Sequence, residues 1–493
     1  MSDTEHQSLY EYIRAAIEPL RETGVLPDFS LPSDPGSSIP FADGAQDGIA
    51  VYHMGASEIP DETKALMAKA VQTAVKGDIE AAEQLFIELG KSTKAIWLID
   101  ELQDYIIANR DTIPAGELFK FAVYAAGTSS DRECVKFGLS ILELLNIEDN
   151  EQIKSMVTVL GLCDEFTLFS IFVMLRWADG NENIAYLARL LHGWGRIHAI
   201  ERLDPNTEAI RKWLLREGVH NTVMPAYSAL TCWNKSGAAE LLFGDSPLSD
   251  EDRAGMRDII TALLGEGPVD GISALDNGDD ILAEFLKKTS ECVLDIDDLN
   301  AVLAIKNYAE NNADLIRLCD EILNTDTARG LVAAAVKNGE AIDLAVTLGI
   351  DCREDIMGLL ERDFEKSAHL CRYLMDDRYR PRVIEIFRKK LPLNELIAEP
   401  SDEPRFGGNE LNLVYLVQML GEYPLEGTDL VEISLQCAPP QNRNMALRVL
   451  KSWVERKNTT LRELLPDTYE LVCGLRAGEV NKSAAQSMDE LIF

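Results

Sequence analysis

From Pro60 onward, hydrophobic residues recur at three- and four-residue intervals, which is the spacing of one face of an α-helix. Residues 63–90 show the logic of one unit, with two such apolar faces separated by Lys76-Gly77-Asp78. This tripeptide predicts a tight turn in which Asp78 caps the second helix. Because neither helix can bury its apolar face alone, each must pack against a neighbour.

Comparable helix pairs recur along the chain at intervals of roughly 30–45 residues, the range of helical-repeat proteins. Alternating strand patterns are nearly absent. The pattern therefore predicts an all-α fold, an irregular HEAT/armadillo-like helical-repeat array, or α-solenoid, with an extended N-terminal cap. The predicted divisions are an N-terminal helix and cap, a first repeat half, a linker, a second repeat half and a tail, at residues 1–60, 61–264, 265–280, 281–478 and 479–493.

The first 60 residues follow a different pattern. Apolar residues from Leu9 to Leu20 predict one short helix. Over residues 26–55, four prolines oppose regular helix, while embedded aromatic and aliphatic residues indicate packing. We expect this segment to lie on the first repeat as an extended cap, with residues 49–54 as a short strand. A disordered arm is the alternative.

Charge and cysteine content narrow the choice of partners and compartment. The chain of 493 residues carries 47 Lys and Arg against 83 Asp and Glu, a formal charge of −36. Such a surface repels phosphate backbones and anionic lipid, so neither nucleic acid nor membrane is expected as a partner. The N-terminus lacks a signal-peptide pattern, and the apolar stretch 166–175 is too short to span a bilayer. The nine scattered cysteines, without a CxxC pair, predict reduced thiols and a cytoplasmic location.

The densest group of polar side chains with chemical potential lies between residues 191 and 220. If the helices that carry them are neighbours, two histidines and two glutamates converge in an acid/base or metal pocket. The alternative is ordinary packing with hydrogen bonds between helices. The candidate site residues are His192, His198, Glu201, Glu217 and His220.

Known catalytic and cofactor motifs are missing from the sequence. Glu217 and His220 form a single ExxH, whereas di-iron bundles use two. Gly193-Trp194-Gly195 begins like a dinucleotide loop, but position 198 is His and no strand precedes it. Asp43 to Gly48 does not meet the EF-hand spacing and is interpreted as turn chemistry. No metal, haem or flavin site is recognised.

Several segments together resemble a known family. They are LYEYIR, LPDFSLP and FADGAQDGI near the start, GLCDEFTLFSIFVMLRW and HGWGRIHAIERL in the middle, and MALRVLKSWV near the end. The chain resembles the bacterial, largely Firmicute-type limonene hydroxylase family over most of its length. The resemblance implies oxidation of limonene to carveol and perillyl alcohol by dioxygen with NADPH or NADH. It transfers no catalytic residues.

Two functions from different classes follow. The first is the monoterpene hydroxylase that the resemblance implies, with a small apolar substrate between helices and the five candidates as the polar wall. The second is a non-catalytic helical-repeat scaffold that binds a protein partner. The residues themselves favour the scaffold, while the resemblance favours the enzyme.

Overall fold

The computed structural model describes residues 7–32, 41–55 and 58–493, in which the regular secondary structure is helical. No β-strand occurs in these ranges, where one isolated antiparallel bridge pairs Ile397 with Cys437. The predicted all-α class is confirmed. The finer HEAT/armadillo-like description stays a prediction.

The chain forms two compact units. The first comprises Met1–Cys292 and Ala304–Leu318, and the second comprises Val293–Leu303 and Cys319–Phe493. In the first unit, a short 3-10 helix, Ile272–Ala274, accompanies the following helices: α1 (Leu9–Ala16), α2 (Leu20–Thr23), α3 (Ala45–His53), α4 (Asp61–Ala74), α5 (Ile79–Ser92), α6 (Ala95–Ala108), α7 (Ala115–Thr128), α8 (Arg132–Leu142), α9 (Glu151–Gly161), α10 (Asp164–Met174), α11 (Gly180–Leu190), α12 (Trp194–Arg202), α13 (Glu208–Glu217), α14 (Ala226–Ser236), α15 (Ala238–Phe243), α16 (Asp250–Leu263) and α17 (Gly278–Ser290).

The division between the units falls within two helices, α18 (Ile296–Tyr308) and α19 (Ala313–Leu323). The second unit continues with 3-10 helices at Ala368–Leu374 and Leu393–Glu395 and with these α-helices: α20 (Asp326–Val336), α21 (Ile342–Thr347), α22 (Arg353–Arg362), α23 (Phe364–Ser367), α24 (Arg380–Lys390), α25 (Gly408–Leu420), α26 (Thr428–Leu435), α27 (Pro440–Lys457), α28 (Leu461–Leu464), α29 (Pro466–Arg476) and α30 (Lys482–Ile492). The stretch 265–280, predicted as a linker, lies inside the first unit.

The α4–α5 pair follows the predicted logic. Gly77 has φ +84°, and the Asp78 side chain caps α5 by accepting a hydrogen bond from the Ala81 N–H at 3.3 Å. Phe86 on α5 is fully buried, and its ring lies 4.9 Å from that of Phe121 and 5.3 Å from that of Phe137. The apolar face of α5 is therefore buried by its pair partner α4 together with α7 and α8.

Stacking of successive pairs organises the middle of the first unit. Within pairs, α7 packs on α8, α9 on α10, α11 on α12, and α13 on α14. Between pairs, α8 packs on α10, α10 on α12, and α12 on α14. The second helices of successive pairs thus form a continuous row, and this row carries the site described below.

Both ends of the chain differ from expectation. Residues 45–53 form the helix α3, so the predicted strand at 49–54 is wrong. The prolines that oppose helix lie at or before position 40, which leaves Ala45–His53 free of proline. At the other end, the predicted tail contains the helix α30, which packs on α27 and α29. Its buried Ala484 and Met488 are four residues apart and form a short apolar helix face, which the prediction of a tail overlooked.

Two further observations concern the lengths of the helices and the cysteines. No helix in the described ranges combines the length and the hydropathy that a bilayer crossing requires. None of the nine cysteines, all within the described ranges, forms a disulfide, and seven of them are buried.

Candidate functional site

Helix α3 lies against α8, α10, α12 and α14, and two glycines permit its close approach. Gly44 precedes the helix with φ +75°, and a Cβ there would meet the Asp164 carbonyl oxygen at 2.5 Å. Gly48 faces the Trp194 indole, where a Cβ would meet ring atoms at 2.2–2.5 Å. Only glycine at these two positions lets the backbone of this segment reach α10 and α12. We call the surface that receives α3 the cap groove, defined by Arg132, Lys136, Glu165, Trp194, His198 and Tyr227.

A buried ion cluster holds the first turn of α3. The Lys136 ammonium is fully buried and lies 2.7 Å from Asp47 Oδ2, 2.6 Å from Glu165 Oε1 and 3.4 Å from Glu133 Oε1. Glu133 in turn accepts a hydrogen bond from the Ala95 N–H at 2.7 Å. One cation from α8 therefore joins carboxylates from α3, α8 and α10.

A second cation completes this cluster at its edge. Arg132 lies 3.0 Å from Asp43 Oδ1 and 3.3 Å from Glu165 Oε2. The Gly44 N–H also donates to Glu165 Oε2, at 2.9 Å. The two carboxylates of the α3 segment, four residues apart, are thus matched by two cations four residues apart on α8.

Burial and charge act in opposite directions on the ionisable groups of this cluster. Burial alone would lower the pKa of Lys136, but Asp47, Glu133 and Glu165 hold that pKa well above its ordinary value. Burial raises the pKa of Asp47 from 3.8 to about 6. For Glu165 burial is outweighed by Lys136 and the Gly44 N–H, so its pKa is lowered. Lys136 therefore remains a cation, and Asp47 is more easily protonated than Glu165.

Aromatic rings surround Tyr52, near the end of α3. Its ring centroid lies 5.1 Å from that of Tyr227, 6.0 Å from Trp194 and 6.2 Å from His198, and the His198 ring is stacked at an interplanar angle of 13°. The Tyr52 hydroxyl donates to Glu201 Oε2 at 3.0 Å. Beside it, His53 Nε2 and the Tyr227 hydroxyl are 2.6 Å apart.

His198 forms the floor of this aromatic group. Its side chain is 1% exposed, and neither ring nitrogen has a hydrogen-bond partner among the described residues. Burial, with a smaller contribution from Arg202, lowers the pKa of His198 to about 3. At neutral pH this residue is therefore an uncharged imidazole with unused hydrogen-bonding capacity.

The five predicted site residues fall into three places. His198 and Glu201 are brought together around Tyr52. Glu217 and His220 lie at the surface, where His220 Nδ1 is 3.2 Å from Glu217 Oε2. His192 is exposed, and its backbone carbonyl accepts from the Thr222 N–H at 2.7 Å. No group of three or more potential ligands in the described ranges is positioned to hold a metal ion.

Sequence reasoning missed Asp258 as the second partner of His220. Its Oδ2 lies 3.0 Å from His220 Nε2, and the hydrogen bond to it raises the pKa of His220. Sequence reasoning also missed Lys136 and Tyr52. The spacing of Asp43 and Asp47 beside Gly44 and Gly48 was the available signal, because residues four apart share a helix face. Turn chemistry alone therefore does not account for residues 43–48.

The glycine pair at the start of α12 does not fit a nicotinamide dinucleotide. A Cβ on Gly193 would lie 2.1 Å from Asp164 Oδ2, and the Gly195 N–H donates to Asp164 Oδ1 at 2.8 Å. A carboxylate therefore occupies the helix N-terminus, where a diphosphate would bind in a dinucleotide fold. The Asp164 carboxylate would repel the diphosphate of a nicotinamide cofactor at this loop.

Comparison with known proteins adds no assignment. No protein-family model, no curated protein and no solved structure matches the chain.

Asp164 gives a pH-dependent prediction. Burial raises its pKa from 3.8 to about 6, so the folded protein binds this proton more tightly than the unfolded chain does. The ionised carboxylate therefore costs stability that grows as the pH rises from about 4 to 6 and is constant above. Asp164→Asn keeps an acceptor for the Gly195 N–H without the charge. We expect the unfolding free energy of the variant, relative to wild type, to be higher at pH 7.5 than at pH 5 by about 1 kcal/mol.

Urea denaturation at the two pH values measures this difference, and other titrating groups cancel between the two proteins. A difference that is constant between pH 5 and 7.5 would contradict the raised pKa of Asp164.

Proposed function

We propose that the chain is a helical-repeat scaffold whose cap groove binds a short helix of a protein partner, and that α3 occupies the groove in cis. The observation that supports this is α3 itself. It is a nine-residue helix seated across α8, α10, α12 and α14 by glycine contacts, ion pairs and an aromatic anchor. Short helices in grooves of this kind are a recurrent mode of partner recognition.

The contacts of α3 specify the chemistry of the partner. A matching segment needs two glycines four residues apart, because Asp164 and Trp194 leave no room for a Cβ at Gly44 or Gly48. It also needs carboxylates four apart to meet the cations of α8, and a tyrosine one turn beyond. Although the whole chain carries a formal charge of −36, Arg132 and Lys136 place two cations in this groove beside Glu165, and these cations meet Asp43 and Asp47.

Gly48→Ala tests the proposal. The new Cβ would collide with the Trp194 indole and weaken the packing of α3 in the cap groove by roughly 1–3 kcal/mol. We therefore expect α3 to leave the groove. A fluorescent peptide of residues 41–55 should then bind the full-length variant in trans at least tenfold more tightly than it binds wild type, where it competes with a tethered helix at high effective concentration. Fluorescence anisotropy measures both affinities.

Gly116→Ala is the matched control, because a Cβ on this exposed helical glycine would meet nothing within 4 Å. It should leave peptide binding unchanged and stabilise α7 by up to about 1 kcal/mol. A peptide carrying Lys in place of Asp47 should fail to bind the Gly48→Ala chain. If the native peptide also fails to bind that chain, the cap groove is not a helix-binding site.

Limonene hydroxylation, implied by the family resemblance, is the second candidate. The observation that favours it is the aromatic surround of the uncharged His198, a suitable wall for an apolar ring. The test is NADPH or NADH oxidation by purified protein with and without limonene, accompanied by a visible spectrum. His198→Ala should abolish turnover, while His220→Ala, at the exposed pair, should not. Either function is compatible with a cytoplasmic location, which we propose from the free thiols.

A further inference from the structure

The side chain of Tyr52 is surrounded by aromatic rings and by a hydrogen-bond acceptor for its hydroxyl. Three aromatic side chains from α12 and α14 lie with their ring centroids 5.1–6.2 Å from that of its six-membered ring: Trp194, His198 and Tyr227. Its hydroxyl reaches a carboxylate acceptor, Glu201, at 3.0 Å. The surround therefore recognises both parts of a phenol, the ring by aromatic contacts and the hydroxyl by a charged acceptor.

The pocket opens to solvent at the hydroxyl end. The Glu201 side chain is 40% exposed, and Tyr52 and Tyr227 are only half-buried. The floor, in contrast, is closed by Trp194 and His198, which are 7% and 1% exposed. The exposed end of the pocket is therefore the end that holds the hydroxyl.

His198 shows that Tyr52 does not use everything the pocket offers. Both imidazole nitrogens are buried and without a hydrogen-bond partner among the described residues, although His198 stacks directly on the Tyr52 ring. A buried polar group left unsatisfied costs about 1–3 kcal/mol. The internal occupant therefore leaves unsatisfied hydrogen-bonding capacity in the pocket floor.

Tyr52 is carried by a short helix segment. It lies on the last turn of α3, and Val51 and Met54 on either side of it are exposed. Its release requires displacement of this last turn only, because the ion cluster holds the opposite end of the helix at Asp47.

We propose that this pocket is a binding site for a 4-alkylphenol group, and that Tyr52 is an internal occupant which such a group displaces. The group has two sources with the same chemistry, a free small phenol or the tyrosine side chain of another polypeptide. The inference stands apart from the proposed helix binding, because a small phenol makes none of the glycine contacts or ion pairs of α3.

The experiment uses the full-length protein and three probes: p-cresol, N-acetyltyrosinamide and toluene. Binding is followed by calorimetry, and displacement by hydrogen exchange of residues 45–53. We expect p-cresol to bind wild type and to increase exchange in the last turn of α3, with toluene at least fivefold weaker. Tyr52→Phe, which removes the hydrogen bond to Glu201, should raise the affinity for p-cresol about fivefold. Tyr186→Phe, at an exposed tyrosine, should change nothing.

Each outcome decides the proposal. Binding of p-cresol alone identifies a small phenol as the ligand, and binding of N-acetyltyrosinamide identifies a tyrosine side chain. If p-cresol does not bind wild type, whether or not it binds Tyr52→Ala, Tyr52 is fixed packing and the proposal is overturned. Equal affinity for toluene overturns recognition of the hydroxyl. Peptide binding to the Gly48→Ala chain is scored separately, so failure of one proposal leaves the other standing.

Discussion

Lys136→Met is expected to lower the free energy of unfolding by about 3–5 kcal/mol, because it leaves three buried carboxylates without their shared cation. Asp47, Glu133 and Glu165 have side chains only 3–8% exposed, and each lies within 3.4 Å of the ammonium. Methionine nearly preserves the volume of the aliphatic part of the lysine side chain. The loss in unfolding free energy therefore measures the missing charge and not a cavity. Urea denaturation at pH 7.5 measures it.

Lys120→Met is the control. Lys120 also pairs with a glutamate three residues away on a helix, at 2.8 Å, but its side chain is 62% exposed. An exposed pair contributes roughly 0–1 kcal/mol, so this variant should remain close to wild type. Adding Asp47→Asn to Lys136→Met should recover part of the loss, because one of the uncompensated charges is removed. A loss below about 1 kcal/mol for Lys136→Met would show that water or rearrangement neutralises the cluster.

The Lys136→Met variant also connects the ion cluster to the proposed function. Since Lys136 holds Asp47, hydrogen exchange in the first turn of α3 should rise more than in α8 itself. Peptide 41–55 should not bind this variant in trans, in contrast to Gly48→Ala, because the cation that its Asp47 would meet is gone. The two variants thus separate an emptied groove from a damaged one.

The sequence was sufficient for the class of fold because helix periodicity is local information. The turn at Lys76-Gly77-Asp78 and the cap of Asp78 follow from adjacent residues, and both are observed. The strand predicted at 49–54 failed because six residues rich in β-formers are also compatible with a helix once another element covers them. Here Trp194, far along the chain, supplies that cover to Gly48.

The candidate site was only partly predictable for the same reason. His198 and Glu201 were singled out as polar residues on one helix, yet their common neighbour is Tyr52, 149 residues from Glu201. Lys136 reads as a surface residue in the sequence, and only the arrival of Asp47 and Glu165 from two other helices makes its burial tolerable. Partnerships between distant segments are set by tertiary packing, which no periodicity encodes.

Glu479→Gln is expected to destabilise the second unit by about 3 kcal/mol, although position 479 lies where the sequence predicted a tail. The Glu479 carboxylate makes a bidentate pair with Arg443 at 2.7 and 2.8 Å, and the two side chains are 1% and 2% exposed. The neutral amide removes the compensating charge and replaces one carboxylate oxygen with an NH2 donor. The buried guanidinium then keeps as acceptors only the amide oxygen and backbone carbonyls, including those of Cys437 and Ser401. Removal of one partner from a buried pair typically costs about 3–5 kcal/mol, and these carbonyls place the expected loss at the lower end.

The pH dependence of this loss has a definite sign. Burial would raise the pKa of Glu479, but the bonds from Arg443 and the Asn481 N–H outweigh it and hold that pKa below its ordinary 4.5. The stabilisation is therefore complete above about pH 5 and is lost as the pH falls through the lowered value. Glu490→Gln is the matched control, since Glu490 pairs with Lys451 at a half-exposed site. If the two variants are equally stable at pH 7.5, residues 479–493 are the tail that the sequence predicted. If Glu479→Gln is the less stable variant, as expected, Glu479 is the residue that joins α30 to α27.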